Sequence, residues 1–430
     1  MITSGWGRFN KVNSEVFALD QKKKINEILK IKKNFIAYGS GRSYGDSCLS
    51  ENIIMTKFLN KEVKIDAKNG EIECSSSTTF EEILKKIIPL GWFVPVSPGT
   101  KYVTVGGAIA SDVHGKNHHK DGSFSDHLIS FLILISSGEE IECSKEKNKD
   151  LFLATCGGMG LTGIILKAKF KLIKINSTYI NQETIKTKNL KQTIEVFSNY
   201  KEFKYVVAWI DTNSKNQNIG RALIYLGVHS NNKKLEIKRK IKLNIGKFIP
   251  SFFSNNLFLK LYSNFYYLIS RSEKKTIYFD DFFYPLDKVS DWNHFYGKKG
   301  FIQIQLLVPK INAHESLFKI ISFMQQNSQT SFLSTLKEMG PGNKNFLSFP
   351  SSGFTLTMDL KVNDKLLDAY HEFEKILKTC NAKVYLTKDS LMTESFFKNS
   401  YKFINQFKNI KEKYDPKKIF SSIQSRRLGI

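Results

Sequence analysis

The stretch Val105–His127, VGGAIASDVHGKNHHKDGSFSDH, crowds glycines, histidines and lysines into one short segment. A metal site, a phosphate cradle and a flavin pocket each use such a mixture. For zinc, His114, His118 and His119 lack a cysteine or an HExxH glutamate, and Lys116 stands among them as a cation. No metal is expected.

Two other glycine-rich segments bear on the choice. Gly158, Gly160 and Gly163 in GGMGLTG satisfy G-x-G-x-x-G, but a dinucleotide loop must open a helix, and IILKAKFKLIKI alternates lysine with apolar side chains from Leu166 to Leu172. That alternation predicts a strand, so these glycines let backbone pass a flat ligand or turn tightly between strands. GSGRSYGD, Gly39–Asp46, follows the apolar run FIAY and sets several main-chain amides beside Arg42. It suits a diphosphate cradle, because amides converge on phosphate only where side chains leave room; an ordinary glycine turn is the other reading.

A chain of 430 residues with 41% hydrophobic content exceeds one comfortable core and predicts two domains. The cysteines Cys48, Cys74, Cys143, Cys156 and Cys380 are scattered, form no CxxC pair and are odd in number, which suits a reducing compartment. The opening MITSGWGRFNKVNSEVF has no secretory pattern, and LISFLILISSG from Leu128 is too short and too polar to span a bilayer. A formal charge of +25 favours polyanions of any kind, or reflects a lysine-rich background of solvated side chains. No RNP, zinc-finger or helix-turn-helix signature points to nucleic acid, and no GxSxG or nucleophilic cysteine setting points to a hydrolase.

Residues 34–172 read as short strands between glycine turns, with a helix at TTFEEILKKI capped by Thr78 or Thr79. From about residue 179 aromatics rise. GFIQIQLLVP alternates Ile302, Ile304 and Leu306 with Gln303 and Gln305, a strand with one polar face, and helices are predicted at AHESLFKIISFMQQ and DKLLDAYHEFEKILKTC. The rhythm is α+β.

In this order GSGRSYGD, SPGTKYVTVGGAIASDVHGKNHH and ATCGGMGLTGII resemble the vanillyl-alcohol-oxidase and p-cresol-methylhydroxylase (PCMH) flavoprotein superfamily. The likeness extends from GWGR through FFYPLD, GFIQIQLLVP and VYLTKDS to YDPKKIF and SRRL, and within the superfamily it is nearest to the decaprenylphosphoryl-β-D-ribose 2-oxidases. It implies a PCMH-type FAD-binding domain of two subdomains over residues 1–178, a substrate (cap) domain with an antiparallel sheet and flanking helices over 179–382, and a C-terminal segment, 383–430, returning to the FAD domain.

The resemblance assigns Gly39, Gly41, Arg42, Ser43 and Tyr44 to the FAD pyrophosphate. Pro98, Gly99, Thr100, Thr104, Gly106, Gly107, Ala110, His114 and Gly115 are assigned along the cofactor, Gly160, Gly163 and Ile165 to its adenine half, and Tyr385 and Lys388 to the ring. Many relatives carry a histidine that bonds the flavin where Arg42 stands here, which implies non-covalent FAD. Other departures are Met159 for asparagine, Thr357 for cysteine and Phe283 for tyrosine.

Alcohol oxidation through a flavin needs a base for the hydroxyl proton and a cation for the charge that develops. By resemblance Lys388, Lys116 and His114 are the catalytic candidates, and Trp209, Phe283, Gln303, Gln305 and Lys337 the substrate contacts; on residue type alone such glutamines and lysines would be solvated and such a tryptophan core. The implied reaction is oxidation of the C2 hydroxyl of a polyprenyl-phospho-β-D-ribose, the first half of an epimerisation to the arabinose form in cell-envelope biosynthesis. An NAD(P)H-dependent keto-reductase is the implied partner, and a sugar-lactone or polyol oxidase is the alternative. A lipid-linked substrate implies a cytoplasmic enzyme held peripherally on the inner membrane. Residues 233–275 mix lysines with Phe248, Phe252, Phe253, Phe258, Tyr262, Phe265, Tyr266 and Tyr267, as an interfacial segment or a buried helical pair would.

Overall fold

The computed structural model describes residues 1–19, 22–238, 242–244 and 250–430. Helix α1, Phe80–Ile87, shows the local signals at work. The Thr79 hydroxyl accepts from the Glu82 amide while the Glu82 carboxylate accepts from the Thr79 amide, closing a capping box. Phe80, Ile83, Leu84 and Ile87 recur at helical spacing, and all four are buried.

Among the described residues, three sheets of three or more strands carry the chain. The first is parallel, with β1 (Glu15–Ala18), β2 (Phe35–Tyr38) and β3 (Asn52–Met55) in the order β1-β3-β2. The second comprises β4 (Val63–Asp66), β5 (Glu71–Ser75), β6 (Leu128–Leu134), β7 (Glu140–Ser144) and β8 (Ile164–Lys171), antiparallel in the order β7-β6-β8-β5-β4. Between β5 and β6 lies the short helix α2, Val105–Ala110. GGMGLTG thus leads into strand β8 and not into a helix, as its lysine alternation predicts.

The third sheet has eight antiparallel strands: β9 (Tyr179–Thr187), β10 (Tyr205–Ile210), β11 (Ala222–His229), β12 (Glu273–Tyr278), β13 (Phe301–Pro309), β14 (Ser331–Met339), β15 (Gly353–Lys361) and β16 (Lys383–Val384). Their order is β12-β9-β11-β10-β14-β15-β13-β16. Helices α3 (Leu190–Asn199), α4 (Asn256–Ile269), α5 (Ala313–Gln326) and α6 (Asp364–Thr379) belong to the same region, and α5 packs on α3, α6, β13 and β15.

Strand β13 alternates as its sequence predicts, yet both of its faces are buried. Ile302, Ile304, Leu306 and Val308 join Leu317 and Ile320 of α5 in one core, while Gln303 and Gln305 point the other way and line a cavity. After β16 the chain returns to the first sheet. The Phe35 amide donates to Ile419 O at 2.8 Å, and the Ser421 amide donates to Phe35 O at 2.9 Å. Lys411 fixes this return from inside, donating to Asp415, Leu161 O and Phe420 O at 2.8–3.1 Å.

Candidate active site

The loop that follows β2 sits on α2. Thr104 caps α2 by accepting from the Gly107 amide, and a Cβ on Gly39 would stand 2.5 Å from the same Thr104 hydroxyl, so only glycine lets the loop approach this closely. Arg42 leaves that loop to lie 4.1 Å from the centroid of Trp6 and 5.2 Å from that of Tyr102.

Loop and helix bound one end of a cavity of about 1050 Å³. Every residue assigned above to cofactor, substrate or catalysis is on its wall, from Gly39 and Gly160 at one part to Gln303, Lys337 and Lys388 at another. This size is at the upper end of single-ligand sites, as an extended dinucleotide requires.

FAD fits this wall. Gly39, Gly41, Gly99, Gly106, Gly107, Gly115, Gly160 and Gly163 leave main chain bare along it, and the buried Arg42 Nε and Ser76 Oγ have no hydrogen-bond partner among the described residues. A pyrophosphate supplies acceptors for such donors, and with arginine at position 42 nothing there can bond covalently to a flavin.

The histidines of the opening stretch separate in space. His114 lies in the cavity wall, 5.0 Å from the Tyr385 ring and 5.5 Å from the Phe349 ring. His118 Nδ1 accepts from the Gly340 amide at 3.1 Å, and His119 Nε2 donates to Phe203 O at 2.9 Å. The latter two fasten the segment to the second half of the chain.

Around His114 the wall turns cationic. Lys116, Lys337 and Lys388 are half-buried and line the cavity together with Gln303, Gln305, Thr357 and Tyr385. Lys116 Nζ donates to Phe283 O at 3.1 Å, and Lys388 Nζ lies 3.6 Å from the centroid of Tyr44. Burial pushes Lys116 down to about 7, with the Lys337 charge adding to it, and pushes Lys337 down to about 8. Burial also lowers Lys388, against the opposing charge of Asp359. His114 is held well below its ordinary value by burial first and then by the charges of Lys337, His118 and Lys388, so it is neutral. Amines brought toward neutrality by burial can serve as base in one protonation state and as anion stabiliser in the other.

Aromatic side chains complete the wall. Trp209 meets Tyr266 edge to face at 4.9 Å, and the hydroxyls of Tyr266 and Tyr225 bond at 2.8 Å. Tyr262, Tyr266 and Ile269 come from α4, which presents another face to solvent.

Sequence reasoning missed two carboxylates. Asp112, two residues before His114, is fully buried and accepts from the side chains of Asn343, Asn345 and Ser348 at 2.6–3.1 Å, pinning the loop that carries Phe349. Asp359, on β15, stands opposite Gln303 and accepts from its amide. A lone aspartate in a turn or a strand carries no local signal, although the register opposite Gln303 was available once the strands were paired.

Comparison with known proteins agrees with this geometry. Residues 16–144 match an FAD-binding-domain family model, and residues 354–428 match a D-arabinono-1,4-lactone oxidase model. The chain is 34% identical over 415 residues to decaprenylphosphoryl-β-D-ribose oxidase of Mycolicibacterium smegmatis, covering 93% of this chain and 90% of that protein. It is 25% identical over 372 residues to an uncharacterized protein of Streptomyces coelicolor, covering 82% and 100% of the two chains. Cytokinin dehydrogenase 3 of Arabidopsis thaliana is 29% identical over 142 residues, 32% of this chain and 27% of its own.

Proposed function

The chain belongs to the family of the decaprenylphosphoryl-β-D-ribose oxidases and is an FAD-dependent oxidoreductase, and from that premise we propose that it oxidises the C2 hydroxyl of a polyprenyl-phospho-β-D-ribose to the 2-keto sugar. The observation that supports this substrate is the make-up of the cationic end of the cavity: Lys116, Lys337 and Lys388 beside Gln303 and Gln305, donors for a phosphodiester and for ring hydroxyls.

Bound FAD supplies the two-electron acceptor. The residues assigned to it would hold it along the glycine-lined wall, with Arg42 and the main-chain amides of Gly39–Tyr44 as the donors for its pyrophosphate. In this reading one of Lys116 and Lys388, both lowered toward neutrality by burial, takes the hydroxyl proton, and the other, with Lys337, stabilises the negative charge that develops. Neutral His114 and the two glutamines orient the sugar, and Trp209 and Phe283 wall it from water.

A lipid-linked sugar must be drawn from a membrane surface. Among the described residues no helix is long and apolar enough to cross a membrane. On α4, however, Leu257, Leu261, Phe265 and Leu268 recur on one face and are 61–69% exposed, while Tyr262, Tyr266 and Ile269 of the same helix line the cavity. Lys260, Arg271, Lys274 and Lys275 are exposed nearby in the chain. Of the other aromatics expected at an interface, Phe248 and the side chain of Phe252 lie outside the described residues. We take α4 as the inner-membrane contact, on the cytoplasmic side where the free cysteines are stable, and an NAD(P)H-dependent reductase as the enzyme that consumes the keto sugar.

Anaerobic titration of the yellow protein tests the substrate: prenyl-phospho-ribose should bleach the flavin while free ribose, arabinose and aldonolactones leave it oxidised. Bleaching by an aldonolactone alone would replace this reading with that of a lactone oxidase, the activity suggested by the match over residues 354–428. Lys388→Ala should keep bound flavin but lose bleaching. In flotation with anionic vesicles, Leu261→Ser/Phe265→Ser should stay at the bottom of the gradient; flotation equal to the parent protein sinks the membrane contact.

A further inference from the structure

The cavity does not end at Gln305 and Lys337, and the strand register shows where the rest of it runs. Gln305 of β13, Thr357 of β15, Thr335 of β14, Trp209 of β10 and Leu223 of β11 stand opposite one another in turn, and each lines the cavity. Two residues along β10 and β11, Val207 and Tyr225 pair in the same way, and Thr184 of β9 and Glu273 of β12 carry that row to the edge of the sheet, again along the cavity. Opposed residues share a face, so one floor crosses seven strands. At the ordinary strand spacing the part beyond Thr335, from β14 to β12, is about 19 Å long.

Helix α4 covers this arm. Tyr266 meets Trp209 edge to face and bonds the Tyr225 hydroxyl, and Tyr262 packs on Phe332 of β14 with ring centroids 5.2 Å apart. Polar contacts fix the helix: Arg221 donates to Asn264 Oδ1 at 3.0 Å, and Asn213 Nδ2 donates to Ser263 Oγ at 2.9 Å. At the edge strand the arm opens beside Ile269, which lines the cavity, is 56% exposed and adjoins Phe265 and Leu268 of the outer face.

The two ends of the cavity suit different chemistry. Three residues of its wall keep a buried side-chain atom with no partner among the described residues, Arg42 Nε, Ser76 Oγ and His114 Nδ1, and none of them is in the arm. Within the arm the polar groups satisfy one another: Tyr225 bonds Tyr266, and Gln182 Nε2 donates to Thr184 Oγ1 at 3.0 Å. Leu223, Val207, Trp209, Tyr262 and Ile269 give its wall hydrocarbon and aromatic ring, while the charged Arg271, Glu273 and Lys275 are exposed at the outer end. An apolar chain gains from burial on that wall and leaves no polar group there unpaired.

We propose that this arm seats the polyprenyl chain of the substrate. The chain leaves its phosphate at Lys337, which shares a strand face with Thr335, crosses β10, β11 and β9 beneath α4, and emerges beside Ile269 at the membrane contact. The inference rests on the lipid-linked substrate proposed above, and it commits the first part of that lipid to the cavity and not to the outer face of α4.

The test uses the holoenzyme and prenyl monophosphates of increasing length that carry no ribose, titrated by calorimetry below the concentrations at which they self-associate. Affinity should rise roughly 10-fold or more with each isoprene unit that enters the arm, and level off once the chain reaches the edge strand. Val207→Trp fills the floor midway and should make the rise stop at a shorter chain. Affinity independent of length in the parent, or the same rise in Val207→Trp, overturns the proposal. A rise that Leu261→Ser/Phe265→Ser removes and Val207→Trp leaves intact also overturns it, since the chain would then rest outside on the helix.

A second measurement needs only the parent protein. A short prenyl phosphate with a diazirine at its far end should label Leu223, Tyr225, Tyr262 or Tyr266 on irradiation; labelling confined to Leu257, Leu261 and Phe265, or no labelling, overturns the arm. Neither measurement involves ribose or reduced flavin. Bleaching by prenyl-phospho-ribose that ignores chain length would therefore overturn the arm alone, and length-dependent binding without bleaching would overturn the sugar reading alone.

Discussion

The side-chain nitrogen of Gln305 donates to Nε2 of His114 across 2.8 Å, joining the eight-stranded sheet to the segment that follows α2. The same nitrogen donates to Thr355 Oγ1 at 3.1 Å, which fixes the amide in place. With Nε2 accepting, the imidazole proton is on Nδ1, a buried atom without a partner among the described residues. Gln305→Leu leaves Nε2 buried and unpaired and releases the tautomer. A loss of about 1–3 kcal/mol in urea unfolding is expected, together with slower flavin reduction; unchanged stability would show that the contact carries no weight.

Acid should destabilise the protein through its buried histidines. Burial pushes His118 down to about 3 and His229 down to about 4, and it lowers His114 and His119 as well. The unfolded chain protonates these rings below about pH 6.5 while the folded chain does not. The stabilisation is therefore complete above about pH 6.5 and is lost as pH falls toward the folded pKa values, by about 1.4 kcal/mol per pH unit for each histidine. His229 offers a clean test, since its ring lies among Phe93, Tyr205 and Phe283 and makes one hydrogen bond, from Nδ1 to Ser177 O. His229→Phe should reduce the slope of stability against pH between 6 and 4 by about one proton, and an unaltered slope would exclude His229 as a source.

Arg42 should contribute to FAD affinity more than to folding. Its guanidinium is held between Trp6 and Tyr102, and the side chain faces the cavity with Nε unpaired. A charge-assisted bond of about 1.5–3 kcal/mol to pyrophosphate corresponds to roughly 10- to 100-fold in affinity. Arg42→Ala should weaken FAD binding to the apoprotein by about that factor, with the apoprotein's own unfolding little changed. Arg42→Lys should recover only part, because an ammonium does not reproduce the planar fork. Wild-type affinity in Arg42→Ala would place the pyrophosphate elsewhere.

Much of this was legible in the sequence because the signals are local. The Thr79 capping box, the lysine alternation of β8 and the apolar face of β13 each reside in fewer than ten consecutive residues. What was not legible depends on cover from elsewhere in the chain. Gln303 and Gln305 have the alternation of a solvated strand face, and only the packing of both halves of the chain against one cavity makes them buried donors. The same holds for the clustered histidines, of which one lines the cavity and two tie segments together. Asp112 and Asp359 escaped notice because each acquires its role from side chains more than fifty residues away, Asp112 from Asn345 and Asp359 from Gln303.

The C-terminus holds the active-site turn through one arginine. Arg427 donates to Asp46 at 2.8 Å and to Asp389 at 2.9 Å, and the two carboxylates are 2% and 0% exposed. Asp46 closes the glycine loop, Asp389 follows Lys388, and a Cβ on Gly45 would stand 1.6 Å from Asp389 O, so loop and turn are already in contact. Removing the arginine leaves two buried negative charges facing each other, which costs about 3–5 kcal/mol. Arg427→Met should therefore lower the thermal midpoint and loosen both the cradle and the Lys388 turn, seen as faster loss of FAD on dilution. The sign of its pH dependence identifies the cause. Burial already raises Asp46 to about 6 with Arg427 in place, and without the arginine it rises further, so stability relative to wild type is regained as pH falls and that carboxylate takes up a proton. Asp46→Asn in the Arg427→Met background should restore part of the midpoint at neutral pH by removing one of the two charges. If the double variant is less stable than the single one, the arginine acts by packing and not by charge.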